Sequence, residues 1–566
     1  MLNTQAIVAA HFPKVANNQL LRKPVTLALQ HLFCETELNQ FSHRYPYLSG
    51  FDFVEQFLAH FAFSYRVNDQ QRERIPESGK VVIVANHPIG MLDGLALIKC
   101  IKEVRSDIKV VANDMLMNVE ALRELLLPIN NMQGGTKKQN IQEIHEHLRN
   151  EGALIVFPAG EVSRLRPQGI RDQKWNSGFL RFAKANLCPI LPVHLAAKNS
   201  AFFYGMSMLY KPAGSALLVK EIFNKQNQNI DITIGELIPL NAFDKLPFKL
   251  NDQAKIFRKH IYLLAKNKKG ILSTQSPIAL PEERRDLLKA LKKECDVLGQ
   301  TPDNKTIYLY RYTQSSPIMR ELGRLREKTF RAVGEGSNQR RDIDIFDKSY
   351  FHLILWDTND LEIAGAYRFG DVKALSACGL PIYSSTLFDY QASMQPYFAN
   401  GLELGRSFVQ EKYWGKRSLD YLWLGIGAFL SKHPEYRYLF GPVTLSAQLP
   451  SLAIDLITAF YMHFFPDNDK LAIAKMPYSA QCTTFTSFKI SEYKQGLLML
   501  KEKLKHMNVS LPTLYKQYAE VTEQGGTRFC AFNIDPDFQN CIDGLVMVDL
   551  TKLRPKKRQR YMQWRQ

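Results

Sequence analysis

Three apolar runs of strand length, each broken off by proline, glycine and charged residues, constrain this chain more than any other feature. The first is Val81-Val82-Ile83-Val84-Ala85, ending in Asn86-His87-Pro88-Ile89-Gly90-Met91-Leu92-Asp93-Gly94. The second, Leu154-Ile155-Val156-Phe157, ends in Pro158-Ala159-Gly160-Glu161-Val162-Ser163-Arg164, and the third is Pro189-Ile190-Leu191-Pro192-Val193-His194. Runs without polar alternation are buried strands, which deliver the residues that follow them to the rim of a sheet. There His87 and Asp93 are near enough in sequence to meet across one turn. A histidine polarised by a carboxylate is a general base, able to take a proton from a hydroxyl attacking an acyl carbonyl. The alternative is an ordinary strand-to-helix turn with His87 facing solvent.

Taken together and in order, the three blocks resemble the glycerolphosphate and lysophospholipid acyltransferase family over roughly residues 75–240. That family reads Asn-His-x4-Asp, then Phe-Pro-Glu-Gly-Thr-Arg-Ser, then a proline-containing strand. The resemblance implies a catalytic His87 oriented by Asp93, with Gly160, Glu161 and Arg164 at the substrate. Five residues rather than four separate His87 from Asp93, and Ala159 stands where the family has glutamate. A subgroup with His-Pro-x-Gly-x-x-Asp-Gly is similar to this sequence.

A chain of 566 residues exceeds one ordinary core and implies at least two domains. The expected fold class is α/β, with two domains: an acyltransferase-type αβ domain followed by a GNAT-like α/β domain. Residues 1–75 read as a helical segment, with Val54, Phe57, Leu58 and Phe61 on one stripe. That stripe suits either packing on the catalytic domain or insertion into a membrane surface. The O-acyltransferase domain is expected over 76–270, with strands at 81–86, 108–112, 153–157, 189–195 and 231–237. Within it Gln133-Gly134-Gly135-Thr136-Lys137-Lys138 is either a phosphate-holding loop or a solvated turn. A linker and helix over 271–300 then lead to a second domain over 301–566.

The second half carries Arg326-x3-Phe330, Asp344-x2-Asp347, Gly365-x2-Arg368 and Glu403-x2-Arg406. In that order they are similar to the acyl-homoserine-lactone synthase branch of the GNAT fold. They are closer still to the ornithine N-acyltransferases of bacterial aminolipid synthesis, through Glu403-Leu404-Gly405-Arg406-Ser407 and a helix containing Leu422-Trp423. The resemblance implies Glu403 as the base that frees the amine. It also implies substrate contacts from Arg326, Phe330, Asp344, Asp347, Arg368 and Arg406. From spacing alone, a structural ion-pair network among the same residues is the competing reading. The pyrophosphate-binding glycines of CoA-dependent GNAT enzymes are not intact after Val409, which fits an acyl carrier protein donor rather than CoA. No bound cofactor is implied, and no His/Cys/Asp cluster argues for a metal.

The two resemblances together imply a bifunctional ornithine lipid synthase. The second domain would join a 3-hydroxyacyl group to ornithine, and the first would acylate the hydroxyl of the resulting lyso-lipid. The alternatives are a lysophospholipid acyltransferase with an accessory GNAT-like domain, and a non-catalytic, membrane-binding protein. A net charge of +18 suits acidic carrier proteins and anionic lipid headgroups. Nucleic acid would also qualify on charge, but no helix-turn-helix, zinc-finger or RNA-binding signature accompanies it. The tail from Lys552 to Arg565, with Tyr561 and Trp564, suits an anionic bilayer face or a solvated end. No apolar run reaches the roughly 18 residues of a membrane span, no signal peptide is evident, and the eight cysteines lack a Cys-x-x-Cys pair. A cytoplasmic protein, peripheral on the inner membrane, is the expectation.

Overall fold

In the computed structural model, residues 30, 35–112, 116–129, 138–167, 169–209, 211–479 and 492–563 are described. They divide into two compact units, Met1–Pro277 and Ile278–Gln566.

Among the described residues of the first unit, seven strands form one sheet: β1 (Ser64–Arg66), β2 (Val81–Ala85), β3 (Ile108–Ala112), β4 (Leu126–Pro128), β5 (Ala153–Val156), β8 (Ile190–Ala196) and β9 (Asn229–Ile234). A small hairpin, β6 (Arg164–Arg166) and β7 (Gly169–Arg171), stands apart from it. The sheet order is β1-β9-β8-β2-β5-β3-β4, so β2 is central, with parallel neighbours β5 and β8. Its unbroken hydrophobicity follows from that place. Val81, Ile83 and Ala85 enter one core and Val82 and Val84 the other, because successive side chains point to opposite faces. Each such valine or isoleucine contributes roughly 1.5–3 kcal/mol on burial.

The expected strands at 81–86, 108–112, 153–157, 189–195 and 231–237 correspond to β2, β3, β5, β8 and β9, the last beginning two residues earlier. Strands β1 and β4 were not anticipated. Val54, Phe57, Leu58 and Phe61 are buried in the core beside β2, so the stripe on helix Gly50–His60 packs inward. Of the glycine-rich loop, Gln133–Lys137 lies outside the described residues, and Lys138 opens helix Lys138–Arg149.

Among the described residues of the second unit, eight strands lie in the order β10-β11-β12-β13-β15-β16-β19-β18. They are β10 (Cys295–Gln300), β11 (Lys305–Arg311), β12 (Phe351–Asp357), β13 (Glu362–Asp371), β15 (Gly401–Val409), β16 (Tyr438–Leu445), β18 (Thr527–Asp535) and β19 (Cys541–Asp549). A two-stranded piece, β14 (Phe388–Tyr390) and β17 (Ala472–Ala474), is separate. Residues 295–300, expected in a linker, are instead the sheet's edge strand, entered directly from helix Arg284–Glu294. Pairing in this sheet is antiparallel except between β15 and β16, whose parallel register covers only Gly401 to Glu403.

Helix Ser418–Lys432 covers one face of the sheet through Gly425, where a Cβ would lie 2.8 Å from Ile307 and 3.0 Å from Leu353. The basic tail does not present Tyr561 to a bilayer. It forms helix Pro555–Met562, and Tyr561 is buried against Trp423, ring centroids 5.8 Å apart, with its hydroxyl donating to Asp420 at 3.1 Å. Trp564 and Arg565 lie outside the described residues. Among the described residues no helix is long and apolar enough to cross a membrane.

Candidate active sites

In the first unit the loop leaving β2 is fixed before any chemistry is considered. Asn86 accepts from the Leu195 amide at 2.7 Å and donates to the Leu195 carbonyl at 2.9 Å, tying the loop to β8. Gly90 then turns the chain into helix Met91–Lys102 at φ +106°, a conformation closed to ordinary side chains. Asp93 is the third residue of that helix and is fully buried. One of its oxygens accepts from the amides of Ile89 (2.7 Å) and Gly90 (3.2 Å), a capping arrangement suited to the positive end of a helix. The other oxygen lies 2.9 Å from His87 Nδ1. The five-residue spacing therefore retains the contact, because the extra residue is absorbed by the glycine turn.

His87 packs against the Phe157 ring at 4.5 Å between centroids. Burial, the largest single influence, would lower its pKa, but the Asp93 and Asp172 carboxylates together outweigh it and the net shift is upward. With Nδ1 held by Asp93, basicity toward a substrate falls to Nε2. The imidazole opens on an apolar cavity of about 140 Å³, whose wall includes Leu95, Ile98, Val110, Leu122 and Leu126. Gly160 lines the same cavity. Glu161 and Arg164 pair with each other at 3.2 Å beside it in sequence, and neither lines the cavity.

Behind His87 stands a carboxylate that no motif indicated. Asp172 is buried and accepts from the His87 amide (3.3 Å), the Ser163 hydroxyl (2.5 Å) and the Trp175 indole (2.9 Å). The Ser163 amide donates to the His87 carbonyl at 2.7 Å, closing the loop from the other side. Asp172 lies in a polar stretch without periodicity, so sequence gave no signal for it.

In the second unit the residues singled out from sequence converge, and they spend their charges on one another. Arg326 Nη1 donates to Asp347 at 2.7 Å, and Arg368 Nη1 to Asp347 at 3.0 Å and Asp344 at 2.5 Å. Arg406 lies 3.0 Å from Asp342 and 3.6 Å from Asp344. Arg326, Arg368 and Asp347 are no more than 1% exposed, so their charges face one another inside the fold. Burial would raise the Asp347 pKa, but Arg326 and Arg368 overcome it and hold the carboxyl far below its usual range. His352 completes the network. Burial, reinforced by Arg326, pushes its pKa down to about 4, so it is neutral and accepts from Arg326 at 3.1 Å.

Glu403 is likewise engaged. One oxygen accepts from the Ser384 amide at 2.7 Å, the other from the Tyr383 amide at 3.0 Å and from the Tyr350 hydroxyl. The geometry is that of an anchor for residues 383–384. Tyr383 in turn accepts from Arg406 at 2.9 Å and lies beneath its guanidinium at 4.5 Å. Phe330 stands edge-on to Phe538 at 5.3 Å, and Phe538 supports Arg406 at 5.1 Å. Thus the ion-pair reading holds for the buried members, with Asp344 and Arg406 at the more accessible end of the network. Tyr350, Tyr383, Asp342 and His352 were missed, since tyrosines inside apolar runs read as core.

Comparison with known proteins agrees with this division. An acyltransferase family profile matches residues 7–270, and a GNAT acetyltransferase domain profile matches residues 325–424. A lyso-glycine lipid O-acyltransferase of Phocaeicola vulgatus is 30% identical over 224 residues, 38% of this chain and 79% of that protein. A glycine N(alpha)-acyltransferase of Bacteroides thetaiotaomicron is 29% identical over 297 residues, 49% of this chain and 88% of that protein. An L-ornithine N(alpha)-acyltransferase of Brucella abortus is 30% identical over 168 residues, 28% of this chain and 56% of that protein. With its histidine-bearing sheet and the GNAT domain that follows, the chain belongs to the acyltransferase family that includes the first of these relatives.

Proposed function

We propose that the chain builds a diacylated aminolipid by two successive acylations. The second unit transfers a 3-hydroxyacyl group from acyl carrier protein to the α-amine of ornithine. The first unit then acylates the free hydroxyl of that lyso-lipid. In the second step His87 Nε2 takes the hydroxyl proton as the oxygen bonds to the acyl carbonyl. The thioester C–S bond breaks, and the proton passes from His87 to the departing thiolate. Asp93 keeps the proton-bearing Nδ1 in place and stabilises the imidazolium formed midway.

The observation that carries the reading is the His87–Asp93 pair, 2.9 Å apart, at the mouth of a cavity walled by leucine, isoleucine and valine. A site so lined suits a fatty chain beside the base. Within the second unit Glu403 is assigned a positioning role through Tyr383 and Ser384, in place of the base expected from sequence. The net charge of +18 supports an acidic carrier protein and the anionic inner face of a membrane as partners. Glycine in place of ornithine is a second reading. It is favoured by the fuller coverage of the glycine-acting relatives, 79% and 88% of their lengths, against 56% for the ornithine-acting one.

The test is expression in a host without aminolipids, followed by lipid mass spectrometry. Wild type yields the diacylated aminolipid, and the headgroup mass separates ornithine from glycine. His87→Ala accumulates the mono-acylated species, and Glu403→Ala yields neither. Diacylated product from the His87 variant would sink the role given to the first unit.

A further inference from the structure

The first unit holds a second cavity, of about 460 Å³, that the scheme above leaves unused. The loop after β2 separates it from the apolar one. Asn86, Pro88 and Ile89 line the larger cavity, while His87, Gly90 and Met91 line the smaller. Their chemistry differs as sharply as their position. Lys198 and Lys225 line the larger cavity, and no aspartate or glutamate does so among the described residues. Glu221, the carboxylate that acts on Lys225, is already bonded to Ser200 and Asn224.

His194 lines this cavity, and one of its ring nitrogens is without a partner among the described residues. His194 is 9% exposed, and its Nδ1 is buried with no hydrogen-bond partner among the described residues. Its ring leans edge-on against Tyr262 at 5.6 Å. Burial pushes its pKa down to about 4, so the ring is neutral, with one nitrogen a donor and the other an acceptor. A buried polar group left unpaired is costly and calls for an explanation, of which a ligand that completes it is one. The cavity also abuts the support of His87, because Ser163 and Tyr262 line it and Tyr262 accepts from the Asp172 amide at 2.9 Å.

We propose that this cavity is the headgroup subsite of the acyl acceptor, in which Lys198, Lys225 and His194 hold the free carboxylate of an N-acylated amino acid. The inference rests on the aminolipid reading above. N-acylation abolishes the α-ammonium and leaves the carboxylate as the charge adjacent to the new amide. A subsite with two cations, a neutral imidazole able to donate and no acid matches that group. An anion of the same class, the phosphodiester of the donor's pantetheine arm, offers similar chemistry, and the test separates the two.

Purified full-length enzyme is assayed for O-acylation of a synthetic N-(3-hydroxyacyl) amino acid and of its carboxamide, with acyl carrier protein thioester as donor. For wild type, kcat/KM for the carboxamide is expected about tenfold or more below that for the carboxylate, as for a lost hydrogen bond to a charged group. Lys225→Ala, His194→Asn and the exposed Lys198→Ala each raise the acceptor KM several-fold, leave the donor KM unchanged and narrow the gap between the two acceptors. Melting temperatures identify any variant that fails to fold, and Lys198→Ala, at an exposed position, carries the test in that event. Equal use of carboxylate and carboxamide by wild type overturns the proposal. So does a rise in donor KM in place of acceptor KM, which would give the cavity to the pantetheine phosphate. A wild-type enzyme that acylates neither acceptor overturns the aminolipid reading itself, and this inference with it.

Discussion

In the first unit a single carboxylate holds His87 through one ring nitrogen, beside one apolar cavity and one of mixed lining that carries two lysines. In the second unit Arg326, Arg368 and Arg406 each end on an aspartate, and Glu403 is bonded through both oxygens. Both clusters were picked out from motif spacing, yet they are built for different work. A group that is oriented but incompletely satisfied, next to open volume, can act on a substrate. One whose charges are each paired within the fold holds other residues where they are. Buried ion pairs of this kind are weak evidence for net stability, but breaking one partner away is costly.

The comparison is sharpest if each cluster is broken in turn. His87→Gln keeps the size and polarity of the loop but removes the base. O-acylation is expected to fall about 10²–10⁴-fold, with N-acylation unchanged, as measured by separate assays of the two half-reactions. Asp347→Ala should do the reverse, leaving buried Arg326 without a carboxylate and Arg368 with Asp344 alone, and destabilising the second unit by roughly 3–5 kcal/mol in denaturant titration. The sign with pH follows from the depressed carboxyl: the stabilisation by Asp347 is present above its unfolded value near 3.8 and is lost as pH falls through the folded value.

A smaller effect tests the support behind the histidine. Asp172→Asn should lower kcat for O-acylation about tenfold with little change in acceptor KM, because the His87 and Ser163 segments shift together while neither cavity loses a charge. The subtlest is the pH profile. His87 works as the free base and its pKa is raised, so O-acylation should climb with pH through an inflection above the usual 6.5. The stability it contributes runs the other way, complete below its unfolded value and fading as pH rises through the folded one. His87→Gln should abolish the inflection, and a profile that keeps it would assign the titration to another group.

Much of this was legible in the sequence for one physical reason. Strands buried on both faces, such as Val81–Ala85, have no polar alternation, and the residues that leave them at a glycine turn are the ones presented at the rim. Strand Ser64–Arg66 was not legible, since three residues at a sheet edge carry no period. Cys295–Gln300 read as linker because an edge strand with Asp296 and Val297 exposed lacks a core face. Tyr561 read as facing a bilayer or solvent because local sequence cannot show that Trp423, far away in the chain, receives it. The arginines and aspartates of the second unit were legible as a set, but whether they meet each other or a substrate depends on register across β12, β13 and β15. Asp172 is the extreme case, a lone carboxylate whose importance arises from contact with a residue 85 positions earlier.

Asp93 serves two masters: one oxygen starts a helix and the other steers an imidazole. Damage there cannot be sorted into folding or turnover by a single readout. An asparagine at this position keeps an acceptor for the helix while withdrawing the negative charge. It is the change that uncouples architecture from reactivity at the heart of the first unit.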